Sequence, residues 1–322
     1  MVDRELIRSN LRNCLTATDG LGLPGMRRGK VRDSYDLGDL LLLVTTDRQS
    51  AFDRVLASVP FKGQVLNQVS AWWFENTSDI VPNHVVSIPD PNATLAMKCD
   101  IFPVEFVVRG YLTGSTSTSA WTLYEAGQRN ICGNILPDGM RKNQGFPEPI
   151  ITPTTKSDEH DESITPDEII SRGLMSEADW DSASGIAMDL FRRGMEVAAD
   201  HGLILVDTKY EMGLDDSGEI ILADEIHTPD SSRYWLKGSY EDRFSNGVNP
   251  ENIDKEFLRL WFRDNCDPYN DEILPPAPDE LIVELSSRYI TLYEMITGES
   301  FEPAWSEDPV ERLRKSLSHL PT

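Results

Sequence analysis

Leu203-Ile-Leu-Val-Asp-Thr-Lys-Tyr-Glu-Met212, the turn Asp215-Asp-Ser-Gly218 and Glu219-Ile-Ile-Leu-Ala-Asp-Glu225 read as a β-hairpin. Both arms are rich in β-branched and apolar residues, and the linker carries turn formers. Side chains alternate along a strand, so Asp207, Lys209 and Glu211 are expected on one face. A four-residue loop would set Lys209 opposite Asp224, with Glu211 diagonal to it. Three carboxylates around one lysine repel each other unless cations join them, and Mg²⁺ takes carboxylate oxygens in this way. A solvated face with one cross-strand salt bridge explains these residues equally well. The rest of the chain decides between the two.

Composition narrows the classes. A chain of 322 residues can bury a large core in one α/β domain or two lobes. Thirty basic against 54 acidic residues leave a net charge of -24, which argues against nucleic acid or an anionic membrane as a partner. Against that background, clustered Lys and Arg become informative. Cys14, Cys99, Cys132 and Cys266 are widely spaced and form no CxxC pair, so free thiols in a reducing compartment are expected. The longest apolar run, Leu40 to Val44, is too short to span a bilayer, and the amino terminus reads as neither signal nor transit peptide. The expected setting is the cytoplasm.

Working outward from the acidic hairpin, residues 3–15 predict a short amphipathic helix. Lys30–Leu37 and Leu40–Thr46 predict a hairpin turning at Gly38-Asp39. Residues 61–77 read as a helix with Val65, Val69, Trp72 and Trp73 on one side. Phe102–Val108 reads as a strand ending at Arg109, and residues 133–155 as an extended loop rich in Pro, Gly and Asn. Thr165-Pro166 and Ser176 open two helices, the second closed by Gly202. Residues 251–264 and 279–297 are expected to be the last two helices. Early strand hairpins and late helices suggest an α+β or mixed α/β fold over a doubly wound one.

Four further segments carry chemistry. Arg28-Gly-Lys-Val-Arg-Asp-Ser-Tyr35 sets Lys30 and Arg32 beside glycine, where they can cover a polyphosphate. Val107-Val-Arg-Gly-Tyr-Leu-Thr-Gly-Ser115 offers Arg109 as a planar fork with Ser115 nearby. Thr228-Pro-Asp-Ser-Ser-Arg-Tyr-Trp235 repeats that pairing with Ser232 and Arg233. Thr152-Pro-Thr-Thr-Lys-Ser-Asp-Glu-His-Asp161 adds Lys156, a candidate phosphate contact, and Asp161, a candidate holder of an ammonium group. His160 has no HExxH or cysteine partner to make a metal site, and no nucleophile arrangement of a covalent hydrolase is present.

The segments GKVRDSYDLGDLLLLVTTDRQSAFD, FPVEFVVRGYLTGS, FPEPIITPTTKSDEHDE, GLILVDTKYEMG and ILADEIHTPDSSRYW resemble, in order, the phosphoribosylaminoimidazole-succinocarboxamide synthase (SAICAR synthetase) family. The resemblance runs from about residue 28 to the C-terminal helices and is nearest the long form of eukaryotes and some bacteria. It implies an ATP-grasp-like α+β fold of two lobes, expected here as residues 1–108, covering the nucleotide, and 109–322. It also implies an ATP-dependent ligase joining carboxyaminoimidazole ribotide to L-aspartate. ADP and phosphate are the other products, and Mg²⁺ is the metal.

By that resemblance Lys30, Arg32 and Lys156 contact the nucleotide, and Phe102–Glu105 forms the hinge that meets adenine. Glu211 and Asp224 bind metal, with Asp207 and Lys209 beside them in the reaction centre. Arg109, Ser115, Ser232 and Arg233 hold the ribotide, Asp161 the aspartate amine, and Ser50 and Asp53 lie on the substrate side. The loop Gly114-Ser-Thr-Ser-Thr-Ser-Ala-Trp121 exceeds the family's shorter GSAW version, leaving open which of Ser115, Ser117 and Ser119 meets substrate. The partners implied are small molecules, acting on a monomer or a homo-oligomer. The competing readings are a small-molecule kinase on a related lobe pair and a non-catalytic descendant. Retention of every carboxylate and of Lys209 argues against the second.

Overall fold

The strand Leu203–Leu214 organises the molecule. The computed structural model describes residues 3–52, 54–116, 118–156, 162–253 and 255–320. In it this strand is the spine of a seven-stranded antiparallel sheet. Val104–Leu112 pairs along one side, with Asp207 opposite Arg109 and Lys209 opposite Val107. Ser232–Leu236 pairs with the first half of the strand and Ile220–Ala223 with the second. The long helix Glu177–Asp200, capped by Ser176, lays Ala183, Ala187, Leu190, Phe191 and Ala198 against the sheet at helical spacing. Leu203, Leu205, Tyr210 and Met212 face that core.

Simple alternation cannot produce this burial, because Leu203 and Leu205 share odd numbering with Asp207, Lys209 and Glu211. A bulge resolves the conflict. Leu205 pairs with Tyr234 but Asp207 with Arg233, so one extra residue enters the strand at Val206. The phase flips there: Ile204 and Val206 pack in a separate small cluster with Trp235, and the core face is resumed by Tyr210 and Met212. Asp207, Lys209 and Glu211 thereby point away from the core, the re-aiming that bulges supply beside functional sites.

A second, five-stranded antiparallel sheet runs in the order Met26–Arg28, Arg32–Asp36, Leu40–Thr45, Ala93–Met97 and Val85–Asp90. Its hairpin turns at Gly38-Asp39 as expected, with Leu37 N bonded to Leu40 O. The helix Lys62–Asn76 buries Val65, Val69 and Trp73 as its spacing predicts. The architecture is α+β, with antiparallel sheets and helices.

Four local expectations need correction. The first helix spans only Arg4–Ser9. The strand through Arg109 continues to Leu112, so the arginine sits mid-strand and not at an exit. Residues 133–155 are not all loop: Gln144–Ile151 pairs with that strand at the sheet's edge. Its Pro147 and Pro149 fall where the register shifts, as edge positions tolerate proline. A further helix, Pro309–Ser316, follows the expected last two. Leu313, Leu317 and Leu320 pack with Tyr35, Leu42, Val44 and Leu95, so the chain's end returns to the five-stranded sheet.

His227 is fully buried, edge-on to Trp73 at 4.5 Å, with Nε2 against the Tyr210 hydroxyl. Burial pushes its pKa down to about 3. An unfolded histidine binds a proton below about pH 6.5, which the folded one refuses until near pH 3. Stability is therefore expected to fall as pH drops through that window, by about 1.4 kcal/mol per unit. Urea unfolding at pH 7.5 and 5.0 checks this. His227→Gln should shrink the difference to the share of His84, whose pKa burial lowers to about 4, and an equal slope in both proteins would clear His227 as a source.

Candidate active site

The outward face of the spine strand carries a compact charge cluster. Lys209 Nζ lies 2.7 Å from Glu105 Oε1, 2.7 Å from Glu211 Oε1 and 4.0 Å from Asp224 Oδ2. Lys156 pairs with the second oxygen of Glu211, and Arg32 with Asp224. Arg32 also reaches Glu225 at 3.6 Å and donates to Thr45 Oγ1 at 3.3 Å. Among the described residues, four carboxylates thus share three cations. Burial disfavours the charge on Asp224, yet Arg32, Lys209 and Lys156 hold its carboxyl well below the usual range. Burial likewise opposes the Lys209 charge, and Glu211, Asp224 and Glu105 outweigh it, keeping the ammonium protonated far above its ordinary pKa.

The cluster forms by a route that alternation does not provide. Glu211 pairs with Ala223 and not with a residue diagonal to Asp224, so a continued strand would turn Asp224 to the core side. Its backbone instead adopts a left-handed conformation, φ 63°, which ends the strand and returns the carboxylate to Lys209 and Arg32. Aspartate tolerates that region better than most residues, at a cost of about 1–3 kcal/mol.

Beside the cluster lies a basic, hydroxyl-lined region. Asp207 Oδ2 is 3.4 Å from Arg233 Nη1 and 3.8 Å from Arg109 Nη1. Arg109 donates from Nε to Thr152 Oγ1 at 2.8 Å, and burial lowers its pKa. Ser232 shares a 2.7 Å hydrogen bond with Thr208. Asp207, Ser232 and Arg233 line a cleft of about 200 Å³ with Asp230, Lys255 and Arg259. Arg259 and Glu256 are shared with a larger cleft of about 590 Å³, also lined by Phe52, Ser115 and Tyr269.

The structure separates the loop serines. Ser115 faces the larger cleft and donates to Glu256 at 3.1 Å. Ser119 is buried and bonds Thr116 O and Thr122 Oγ1, each at 2.8 Å, a local fastening. Gly114, at φ 109°, lets the loop close: a Cβ there would sit 2.3 Å from that of Ser119. Ser117, Asp53 and Asp161 lie outside the described residues, as does His160. Ser50 is half-buried in the short strand Arg48–Ala51, and Lys30 is exposed at the tip of the hairpin between Met26–Arg28 and Arg32–Asp36.

Glu105 closes the segment Phe102–Glu105, whose expected contact with adenine is largely through backbone. Its carboxylate is turned into the charge cluster, bonded to Lys209 and, at 3.3 Å, to Thr154 Oγ1. Glu225, Asp230, Lys255 and Arg259 were missed by reading the sequence. Glu225 and Asp230 stand in quoted motifs and are acidic, so their signal was present but undistinguished from other acids. Lys255 and Arg259 belong to a segment whose helical spacing hid its cleft-facing cations.

A family model described as SAICAR synthetase matches residues 25–276. The chain belongs to the SAICAR synthetase family. A phosphoribosylaminoimidazole-succinocarboxamide synthase of Legionella pneumophila (strain Lens) is 63% identical over 307 residues, 95% of this chain and 98% of that one. The chloroplastic synthase of Arabidopsis thaliana is 58% identical over 317 residues, 97% and 77% of the two chains. The solved SAICAR-synthase from Saccharomyces cerevisiae, complexed with SAICAR, shares 35% identity at a TM-score of 0.77, covering 89% of this chain and 99% of that one. A SAICAR synthetase in complex with ADP shares 27% identity at a TM-score of 0.65, covering 86% and 99%.

As a SAICAR synthetase, this protein is an ATP-dependent carbon–nitrogen ligase of purine biosynthesis. The resemblance implies a divalent ion, and the residues present bear on whether one fits. Mg²⁺ is usually held by one or two carboxylates plus substrate phosphates, not by an all-protein cage. Among the described residues no three His, Cys, Asp or Glu side chains form such a cage, whereas Glu211 and Asp224 flank the same ammonium group. That pair would fit a metal ion that shares its coordination with nucleotide phosphates. No helix of the described residues is long and apolar enough to cross a membrane, and all four cysteines are free.

Proposed function

We propose that the outward face of Leu203–Leu214 is where this ligase joins carboxyaminoimidazole ribotide to L-aspartate, through an acyl phosphate. The observation that carries the reading is the contact of two unlike regions on one strand. Glu211 and Asp224, with Lys156, Lys209 and Arg32, form a charge cage suited to a triphosphate and its metal. Asp207, two residues along, joins the Arg109, Ser232 and Arg233 region, suited to a ribotide.

A carboxylate is a poor acylating agent, so a substrate carboxylate oxygen first attacks the γ-phosphorus and ADP leaves. The aspartate amine then attacks the acyl carbon, phosphate departs, and the amine's surplus proton passes to solvent. Catalysis is positioning and charge neutralisation. Lys209 holds the neighbouring carboxylates in place and offers a fixed positive charge to transferring oxygens. Lys30, Arg32 and Lys156 contact phosphates, while Arg109, Ser115, Ser232 and Arg233 fix the ribotide. Asp161 receives the aspartate amine, and Ser50 and Asp53 stand on the substrate side. Glu211 and Asp224 would hold Mg²⁺, which when bound neutralises phosphate charge. Phe102–Glu105 meets adenine largely through backbone, which leaves the Glu105 carboxylate to support Lys209.

Residues 1–108, built on the five-stranded sheet, are the proposed nucleotide-covering lobe and residues 109–322 the larger one; the strand Val104–Leu112 crosses that boundary within the seven-stranded sheet, and Pro309–Ser316 packs back on the first lobe. The cytoplasm is the proposed compartment, and the active species is a monomer or homo-oligomer.

The test is conversion of the ribotide by the purified chain. SAICAR should form only with ATP, Mg²⁺ and L-aspartate together, with one ADP released per product. ATP consumption with an alcohol acceptor and none with aspartate would replace this reading by a kinase.

A further inference from the structure

We propose that Arg48 is a positioning residue for the nucleotide, holding the hairpin tip Gly29–Val31 in the shape that presents Lys30 and Arg32 to phosphate. The inference rests on the reading of that hairpin as the nucleotide cover.

The tip is a tight reversal. Gly29 N donates to Arg32 O at 2.9 Å, and a Cβ on Gly29 would meet that oxygen at 2.6 Å. Its three successive carbonyls are all captured from one neighbouring segment. Arg48 Nη2 donates to Gly29 O at 2.9 Å, Arg48 Nε to Lys30 O at 3.1 Å, and Thr46 N to Val31 O at 3.0 Å. The guanidinium also donates to Thr16 O at 2.7 Å and to Asp33 Oδ1 at 2.6 Å. Asp33 is fully buried and receives Thr18 Oγ1 at 2.7 Å on its other oxygen, so the anchor is itself anchored.

Only a planar fork reaches so many acceptors at once. Lysine offers its donors from a single point and could not span carbonyls on two sides of a turn. A glycine-bearing hairpin tip is ordinarily mobile. Here it is set before nucleotide arrives, which reduces the ordering entropy lost on binding. Arg48 itself is buried and offers nothing to ligand, so it acts through Lys30 and Arg32.

The experiment compares Arg48→Met, Arg48→Lys, Asp33→Asn and Lys30→Ala with the unaltered full chain. Readouts are ADP affinity by calorimetry, Michaelis constants for ATP and aspartate, and amide exchange over residues 28–32. Arg48→Met should weaken ADP binding and raise the KM for ATP on the order of 10- to 100-fold, the size of effect that misplacement from a distance produces. Values of kcat at saturating ATP and KM for aspartate should stay near wild type, and tip amides should exchange faster. Arg48→Lys and Asp33→Asn should shift the same constants less, and they carry the test if Arg48→Met does not fold. Variants that melt earlier yet keep wild-type ATP constants and tip exchange would reduce Arg48 to a structural residue and overturn the inference. Unchanged ADP affinity in Lys30→Ala would instead overturn the nucleotide reading of the hairpin.

Discussion

Lys209→Met is expected to lower kcat on the order of 10²–10³-fold, as loss of one preorganised charge-stabilising donor does elsewhere. The ammonium lies within 2.7 Å of both Glu105 and Glu211 and 4.0 Å from Asp224. Removing it takes away a fixed charge aimed at the proposed reaction centre. It also leaves those carboxylates to repel each other or to take up protons. Methionine preserves much of the stem's volume, so circular dichroism should report an intact fold. Because the ammonium stays protonated far above its ordinary pKa, the wild-type rate should show no lysine titration below about pH 10. Glu211→Gln and Asp224→Asn should cost a similar factor, with the concentration of Mg²⁺ needed for half-maximal rate raised. Rates within a few-fold of wild type in all three variants would remove this cluster from the mechanism.

Asp230→Ala should give the largest loss of stability, about 3–5 kcal/mol, the range for removing one partner of a buried ion pair. Lys62 is fully buried, and its Nζ lies 2.8 Å from Asp230 Oδ2. The other oxygen receives the Tyr289 hydroxyl at 2.7 Å and faces Lys255 Nζ at 3.6 Å. Burial opposes the Asp230 charge, but Lys255 and Lys62 overcome it and hold the carboxyl below the usual range. Truncating Asp230 strips the buried Lys62 ammonium of its ion-pair partner and leaves it the weaker field of Glu225. The reverse change, Lys62→Met, leaves Asp230 with Lys255 and Tyr289 and should destabilise less. Urea unfolding of both variants checks the ordering. Equal losses would mean that Asp230 does not depend on its other two partners.

Much of the site was legible because chemistry travels in short segments. Lys30 and Arg32 are two residues apart, as are Asp207, Lys209 and Glu211, so their types could be read directly. The Ser/Arg pairings around residues 115 and 232 likewise pointed to an anionic substrate; Ser115 lines one of two adjoining clefts and Ser232 and Arg233 the other, while Arg109 lines neither and meets the second through Asp207. Glu105 was harder. Nothing near it in the chain shows that its partner is Lys209, 104 residues away. Arg48 was passed over for Ser50 and Asp53 because its acceptors are backbone oxygens, which every sequence has and none advertises.

The residues by themselves determined the strand–turn–strand units, the capped helices, the order of five motifs and the family they compose. Each of these depends on local propensity or on contiguous side-chain types. Tertiary structure alone decided which way those side chains point. The extra residue at Val206 turns the acidic triad off the core, and the left-handed backbone at Asp224 brings its carboxylate back to Lys209. Phase and register are set by what the sheet must bury under Glu177–Asp200, a long-range constraint with no signature in any short stretch of chain. The proposed mechanism therefore hangs on an inserted strand residue and one unusual φ angle. A structure with an unbroken ladder through residues 203–214 and an extended residue 224 would dissolve it.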